Sequence, residues 1–182
     1  MPVRPISDRI KQSLFDILRP RIPGSRFLDL FAGTGAVGLE ALSRGAELAV
    51  FVDADPRCVK VIERNLERTG WQAKGKAFRA NLLAPLTWLP YRAGTDRFDL
   101  IFMGPPYKDE QKRPLKMTAG VLERIAAAGL LAQDGWIAAQ HHQQEMAPAP
   151  NGLECFRAST YGDTIVSFFR SLDRPRGEFA AS

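Results

Sequence analysis

A glycine-rich segment between an apolar run and a helical pattern constrains the fold of this chain most strongly. In LDLFAGTGAVGLEAL, glycines follow the spacing G-x-G-x-x-G at Gly33, Gly35 and Gly38. Asp53 lies twenty residues after Gly33, at the end of the next apolar run. A buried strand, a glycine turn, a helix and an acid on the following strand are the parts of a nucleotide-binding βαβ unit. The segment therefore predicts a parallel sheet with helices packed on it.

The rest of the chain alternates between short apolar runs and helical patterns. The predicted strands are RFLDLF, LAVFVD, KAFRAN, FDLIFM and GWIAAQHH. The predicted helices are SDRIKQSLFDIL, GAVGLEALSRG, PRCVKVIERNLERTG and AGVLERIAAAGLL. LECFRASTY and TIVSFFR flank Gly-Asp, which predicts a hairpin, and residues 87–97 are predicted to be an irregular connection.

This order predicts an α/β protein with a Rossmann-like, doubly wound and mostly parallel sheet that ends in an antiparallel C-terminal hairpin. One domain is expected over residues 1–172, followed by a disordered tail at residues 173–182.

Composition and charge limit the class of protein. A chain of 182 residues, 45% of them hydrophobic, suits one globular domain. No apolar run approaches the roughly 20 residues of a membrane span, and MPVRPISDRIKQ holds no apolar signal segment, so a cytoplasmic protein is expected. Cys58 and Cys155 lack CxxC spacing and predict neither a disulfide framework nor a metal site. The net charge of +5 fits a polyanionic partner, although a merely basic surface explains it too.

The glycine loop suits two cofactors. NAD would place its pyrophosphate on the glycine turn and a ribose on Asp53, so an NAD-dependent oxidoreductase is one alternative. Asp29, however, lies inside the first strand, where a dinucleotide-binding strand is usually apolar up to the glycines. S-adenosylmethionine has no pyrophosphate, and Asp29 with the loop backbone suits its cationic amino-acid end. S-adenosylmethionine is therefore the favoured cofactor.

The fourth predicted strand ends in Gly-Pro-Pro-Tyr, residues 104–107. A strand that ends in Asp-Pro-Pro-Tyr or Asn-Pro-Pro-Tyr resembles the active site of enzymes that methylate an exocyclic base amine. The loop directly after it carries four cationic residues, which predict an RNA contact at the rim of the site: Lys108, Lys112, Arg113 and Lys116. His141 and His142 end the fifth predicted strand, where exposure to solvent is expected rather than a role as a base.

Four segments extend the resemblance over residues 4–170. They are RPISDRIKQSLFDIL, LDLFAGTGAVGLEALSRGA, FVDADPRCVKVIERNL and YGDTIVSFFR. In this order they resemble the RsmD-like class I methyltransferases, which transfer a methyl group from S-adenosylmethionine to a guanine N2 amine of bacterial small-subunit (16S) ribosomal RNA. The opening RP-x-x-DR and the closing YGDT-x-VSF are the most specific parts. The family normally has a short basic segment before RP-x-x-DR, and this chain begins almost at that motif.

The resemblance implies a role for each matching position. The implied cofactor-binding residues are Asp29, Phe31, Gly33, Gly35, Asp53, Asn81 and Leu82, the last two beside the adenine. The implied catalytic motif is Gly104, Pro105, Pro106 and Tyr107. The family usually has Asp at position 81, but Asn still offers a carbonyl oxygen. The implied partner is ribosomal RNA or an assembling small subunit, and no metal is expected.

Gly104 is the departure from the family pattern that bears most on activity. A flipped-out guanine needs acceptors for its N2 amine, and Asp or Asn normally supplies one while the Pro105 carbonyl supplies another. Losing one hydrogen bond to a reacting group costs about 2–4 kcal/mol, or about 30- to 1000-fold in rate. The sequence therefore predicts a guanine-N2 methyltransferase with a slowed chemical step. An inactive cofactor- and RNA-binding module of the same fold and adenine methylation in DNA stay open as alternatives.

Overall fold

A computed structural model describes residues 6–109 and 111–173. The helices in these ranges are α1 (Asp8–Leu18), α2 (Ala36–Ser43), α3 (Pro56–Thr69), α4 (Leu89–Ala93) and α5 (Thr118–Ala127). The strands are β1 (Arg26–Leu30), β2 (Leu48–Asp53), β3 (Gly75–Arg79), β4 (Phe98–Met103), β5 (Leu131–His142), β6 (Leu153–Tyr161) and β7 (Thr164–Ser171). A short 3₁₀ helix, Arg19–Arg21, follows α1.

The strands form one seven-stranded sheet in the order β3-β2-β1-β4-β5-β7-β6. β1 to β5 pair in parallel, whereas β7 runs antiparallel to both β5 and β6. The predicted class, a mostly parallel sheet with an antiparallel C-terminal hairpin, is confirmed. The strand order reverses between β1 and β4, and in open α/β sheets ligands bind beyond the carboxyl ends of the strands at such a point.

Helices cover both faces of the sheet. One core cluster packs α1, α2 and α3 against sheet residues such as Phe27, Phe51 and Phe102. A second cluster packs α4 and α5 against the opposite face, on residues such as Leu28 and Met103. Successive side chains of a strand point to opposite faces, so Asp29 lies on the same face as Phe27, under α1 and α2.

Capping side chains and a glycine fix several helix ends. The Ser7 side chain accepts a hydrogen bond from Ile10 N at 3.4 Å and caps α1. Asp55 caps α3 through Arg57 N at 2.8 Å. Gly70, with φ of 73°, ends α3 in the left-handed conformation that favours glycine.

Two boundary predictions are wrong. Residues 87–97 contain α4 rather than only irregular chain, because Leu89 and Ala93 are buried on the sheet and Gly94 ends the turn at φ of 74°. The helix predicted to run through Leu131 ends at Ala127, since Gly129 has a left-handed φ of 61°. Leu131 already belongs to β5.

Some predictions fall on parts of the chain outside the described residues. Arg4 and Pro5 of the opening motif, Glu110 of the basic loop and residues 174–182 of the expected tail lie there. Within the described ranges, no helix is both long and apolar enough to cross a membrane.

Candidate active site

A solvent-open cleft at the carboxyl ends of β1 and β4 brings several predicted site residues together. Asp29, Phe31, Gly33 and Gly104 line this cleft, whose empty volume is about 430 Å³. Its other lining residues are Ile6, Ala32, Thr34, Ala36, Val37, Phe102 and Gln140. The predicted cofactor loop and the predicted catalytic motif therefore share one site, although they are far apart in the sequence.

The glycine loop has the backbone shape of a ligand cradle. Phe31, Gly33 and Gly35 have φ values of 59°, 57° and 80°, so the chain turns through left-handed conformations before α2. A Cβ on Gly35 would lie 3.0 Å from Ile62 Cγ1, and one on Gly38 would lie 2.3 Å from the Phe51 ring. The first two glycines of the motif thus shape the turn, and Gly38 lets α2 pack closely on β2.

Asp53, predicted to bind a ribose, holds the glycine loop in place. Its Oδ2 accepts a hydrogen bond from Gly33 N at 2.8 Å, and its Oδ1 accepts one from Asp55 N at 2.9 Å. A carboxylate has lone pairs left after two such bonds, so ribose hydroxyls can still bind there. The sequence spacing indicated the ligand role but not the support of the loop.

Asp29 is an acid buried at the base of the cleft, with 1% of its surface exposed. Its Oδ2 accepts a hydrogen bond from Gly38 N at 2.9 Å. Burial raises the pKa of Asp29 to about 7, the Gly38 bond opposes this rise, and the charge of Asp53 adds to it. The charge of Asp29 therefore changes close to neutral pH.

The two residues expected beside the adenine lie after β3 and do not line the cleft described above. Asn81 is exposed, and its Oδ1 accepts a hydrogen bond from Leu83 N at 3.0 Å. Leu82 is only 2% exposed and packs in the core cluster with Leu86 and Leu89. The Leu82 side chain thus serves the core, and the adenine role of both residues stays a prediction.

Gly104 is not required by the backbone. The φ angle of Gly104 lies outside the left-handed region, and its amide donates a hydrogen bond to Leu30 O at 3.4 Å. A Cβ at this position would meet only the Phe102 ring, at 3.4 Å, an ordinary contact. The site could therefore hold a larger residue. The fold does not require glycine here, so the absence of the Asp or Asn side chain of the family pattern affects the chemistry of the site rather than its folding.

Tyr107 is half-buried and held by two other strands. Its hydroxyl accepts a hydrogen bond from Gln140 Nε2 of β5 at 2.9 Å and donates one to Thr164 Oγ1 of β7 at 3.3 Å. Its ring lies edge-to-face with His142, with centroids 5.7 Å apart. These contacts fix the orientation of the ring that closes the Gly-Pro-Pro-Tyr motif.

The closing signature YGDT has a structural explanation in these contacts. Tyr161 bonds to Ser13 of α1, Asp163 Oδ1 accepts from Gln143 Nε2 at 2.9 Å, and Thr164 bonds to Tyr107. The signature thus ties the C-terminal hairpin to α1, to the end of β5 and to the catalytic motif.

The exposure predicted for the end of β5 is wrong for His141. This ring is 4% exposed, and its Nε2 bonds to Ser167 Oγ at 2.9 Å. The antiparallel pairing of β5 with β7 buries it, a contact that the sequence of β5 alone does not reveal. His142 is half-buried against Tyr107.

The basic loop after Tyr107 folds back on itself. Asp109 N donates to Arg113 O at 3.0 Å, and Leu115 N donates to Tyr107 O at 2.8 Å. Arg113 Nε forms an ion pair with Asp109 Oδ2 at 2.6 Å. The four predicted RNA-binding residues are all exposed on this turn: Lys108, Lys112, Arg113 and Lys116.

Ile6 and Gln140 are the two cleft residues outside the glycine loop and β4 that the sequence analysis missed. Ile6 belongs to the opening motif but carries no chemical signal of its own. Gln140 does carry one, because it is a polar residue directly after the apolar run WIAA, two residues before the strand ends. In the described residues no cluster of three or more His, Cys, Asp or Glu side chains could hold a metal ion.

Comparison with known proteins shows the family of this chain. Residues 1–170 match the family described as "Conserved hypothetical protein 95". YlbH of Bacillus subtilis (strain 168) is 34% identical over 168 residues, 92% of this chain and 87% of the relative. "Ribosomal RNA small subunit methyltransferase D" of Escherichia coli (strain K12) is 31% identical over 151 residues, 83% of this chain and 67% of the relative.

A solved structure supports the fold. The Escherichia coli protein yhhF superposes with a TM-score of 0.74 at 24% identity, over 92% of this chain and 87% of that chain. The oxidoreductase alternative gains no support from these relatives. The family match covers nearly the whole chain, and the sheet order and the cleft are those of the class I methyltransferase fold, so the protein belongs to the RsmD-like class I methyltransferases.

Proposed function

We propose that this protein uses S-adenosylmethionine to methylate a guanine N2 amine in bacterial small-subunit ribosomal RNA. The observation that carries the proposal is the single cleft that joins Asp29 and Gly33 of the glycine loop to Gly104 of the Pro-Pro-Tyr motif. The name of the Escherichia coli relative, a small-subunit ribosomal RNA methyltransferase, supports the choice of substrate.

The glycine half of the cleft fits the proposed cofactor. The chain turns through left-handed conformations at Gly33 and Gly35, and Gly33, which has no Cβ, lines the cleft, so a ligand can approach the backbone there. Asp29 supplies an acid for a cationic amino-acid end, and Asp53 supplies oxygens for ribose hydroxyls. When bound, S-adenosylmethionine supplies an activated methyl group.

The Gly-Pro-Pro-Tyr motif, whose Gly104 lines the cleft, fits a flipped-out base. Tyr107 offers an aromatic face for stacking, worth about 1–3 kcal/mol per base. The Pro105 carbonyl lies on the same motif and can accept a hydrogen bond from the base amine. Gly104 contributes no side-chain acceptor, so a site in which nothing replaces it should lose about 30- to 1000-fold in rate.

No strong base is required for this chemistry. After methylation the amine proton can leave to water. Of the two histidines that end β5, His141 is already bonded to Ser167. The residues of the cleft therefore act by positioning the amine and by stacking the base.

The basic turn supplies the RNA contact in this proposal. Lys108, Lys112, Arg113 and Lys116 are exposed beside Tyr107, where phosphates that flank a flipped base would pass. The partner is ribosomal RNA or an assembling small subunit, and the cytoplasm is the compartment that this partner implies.

The test is single-turnover transfer of labelled methyl from S-adenosylmethionine to ribosomal RNA or immature small subunits, followed by mass spectrometry of the nucleosides. The expected product is N2-methylguanosine. Methylated adenosine would contradict the proposed base. Calorimetry that shows NAD binding and no binding of either adenosyl ligand would contradict the proposed cofactor.

A second candidate is an inactive module that binds cofactor and RNA, and Gly104 is the observation that favours it. In that case the protein binds both ligands but transfers no methyl group, and Gly104→Asp does not restore transfer. The same single-turnover experiment separates the two candidates.

A further inference from the structure

Gln140 stands beside Gly104 on the neighbouring strand. In the pairing of β4 with β5, Phe102 lies opposite Ala138 and Met103 opposite Ala139. Continuing this register by one residue puts Gln140 level with Gly104. Phe102 and Ala138 belong to the same core cluster, and side chains two residues further along a strand keep the same face. Gln140 therefore lies on the face toward which a side chain at position 104 would point.

The two residues also share a surface. Gln140 and Gly104 both line the cleft that contains Asp29 and Gly33. A Cβ on Gly104 would meet only Phe102, at 3.4 Å. No Gln140 atom lies within 4 Å of that Cβ, so the volume that an Asp or Asn side chain would fill at position 104 is open, on the face of the sheet where Gln140 lies.

The two ends of the Gln140 amide differ in their bonding. Nε2 donates to the Tyr107 hydroxyl at 2.9 Å, and that hydroxyl donates onward to Thr164 Oγ1 at 3.3 Å. Oε1 is buried and has no hydrogen-bond partner among the described residues. A buried acceptor without a donor is unfavourable, and rotation about the last, broad side-chain torsion can turn it toward the cleft when the Nε2 bond to Tyr107 is given up. A base amine above Gly104 would supply the missing donor.

We propose that Gln140 is a catalytic residue that replaces the acceptor missing at Gly104, its Oε1 accepting a hydrogen bond from the target amine. The inference rests on the proposed function, because it assigns the amine-binding group of that reaction. With the Pro105 carbonyl as the second acceptor, the nitrogen lone pair points at the methyl carbon. The nitrogen–carbon bond forms, the carbon–sulfur bond breaks with its electron pair kept by sulfur, and the amine proton passes to water.

Gln140→Met is the variant that tests the acceptor, since it keeps the length of the side chain and removes both amide groups. Single-turnover methyl transfer should fall by about 30- to 1000-fold. Binding of S-adenosylmethionine, measured by calorimetry, should change little and reports that the fold is intact. Gln140→Glu, which keeps an oxygen at the same reach, should transfer faster than Gln140→Met.

Tyr107→Phe separates the acceptor role from the support of Tyr107. It removes the hydroxyl that Gln140 binds and leaves both the aromatic face and Oε1. We expect Tyr107→Phe to lose less rate than Gln140→Met. Gly104→Asp should raise transfer by a larger factor in the Gln140→Met protein than in the parent, because the two acceptors substitute for each other.

Several outcomes would overturn the inference while leaving the proposed function standing. These are equal rates for Gln140→Met and the parent, equal losses for Tyr107→Phe and Gln140→Met, and a parent that is inactive until Gly104→Asp is introduced. The proposed function itself fails when neither the parent nor Gly104→Asp transfers methyl to RNA at saturating cofactor, and the inference then fails with it.

Discussion

The two halves of the cleft differ in how their geometry is maintained. In the cofactor half, Phe31, Gly33 and Gly35 adopt left-handed backbone conformations, and Asp53 accepts a hydrogen bond from the Gly33 amide of the loop. In the target half, Gly104 has an ordinary backbone, and Tyr107 is held by side chains from β5 and β7.

This difference shows which half of the site can change in sequence. A left-handed turn that packs closely on a neighbouring strand accepts few residues, because a Cβ on Gly38 would collide with the Phe51 ring at 2.3 Å. In a hydrogen-bond network of side chains from several strands, one residue can replace another as the acceptor. The unusual residue of this chain, Gly104, lies in the half that tolerates the exchange.

The largest effect is expected from Asp53→Ala, which should weaken S-adenosylmethionine binding by about 1.5–3 kcal/mol, the scale of a hydrogen bond to a charged group. The loss includes the anchor of Gly33 N, which lies 2.8 Å from Asp53 Oδ2. Calorimetry measures the change. Asp55→Ala is the matched control, since Asp55 caps α3 through Arg57 N and makes no bond to the glycine loop in the described structure. Equal losses of cofactor affinity in Asp53→Ala and Asp55→Ala would contradict the role of Asp53 in holding the glycine loop.

A further large effect is expected in the salt dependence of RNA binding. Neutralising Lys108, Lys112, Arg113 and Lys116 to Gln should reduce the slope of log affinity against log salt by up to about three units. That slope corresponds to roughly 50-fold in affinity over a fourfold change in salt. The salt dependence of cofactor binding should not change, because these four residues lie on the exposed turn after Tyr107 and do not line the cleft.

The control for the rim removes an equal number of charges from another surface. Arg57, Lys60, Arg64 and Arg68 are exposed on α3, and their conversion to Gln should leave the RNA slope nearly intact. If the variant with all four residues after Tyr107 neutralised keeps the salt dependence of the parent, the RNA-binding surface lies elsewhere.

A smaller effect, on folding, is expected from a pair of glycine substitutions. Gly38→Ala should lower the free energy of unfolding by about 1–3 kcal/mol, the usual cost of overpacking, because its Cβ would lie 2.3 Å from Phe51. Gly104→Ala should change stability by less than about 1 kcal/mol, since its Cβ fits and the unfolded chain loses freedom. Urea denaturation measures the stability of both variants. Equal destabilisation by Gly38→Ala and Gly104→Ala would show that the two halves tolerate substitution equally.

The smallest effect is expected from pH. Burial raises the pKa of Asp29 to about 7, so its negative charge is largely absent at about pH 6 and present at about pH 8. Affinity for the cationic cofactor should therefore rise with pH across this range, by roughly tenfold at most. Asp29→Asn should flatten the profile, and an unchanged profile in that variant would assign the titration to another group.

The same raised pKa has a consequence for the unliganded protein. A carboxyl that is harder to ionise in the fold contributes stability fully below about pH 4, and that contribution is lost as pH rises to about 7. Relative to Asp29→Asn, the parent should therefore become less stable over this interval. Denaturation midpoints at several pH values measure the difference.

The amino-acid sequence by itself determined the sheet, the glycine loop and the residues at the strand ends. These features follow from local rules: apolar runs form buried strands, left-handed turns favour glycine, and Pro56 and Gly70 mark the ends of α3. Asp29, Gly33 and Gly104 could be assigned to one site because the carboxyl ends of parallel strands meet at one edge of the sheet.

Only the tertiary structure decided which side chains serve the target half. The burial of His141, the bonds from Gln140 and Thr164 to Tyr107, and the place of Gln140 beside Gly104 depend on the pairing of β5 with β4 and β7. Gln140 follows Gly104 by 36 residues in the sequence, and no local preference of either residue predicts that both line the same cleft. Such contacts arise from strand register, which the hydrophobic pattern of the whole sheet sets and which a single segment does not encode.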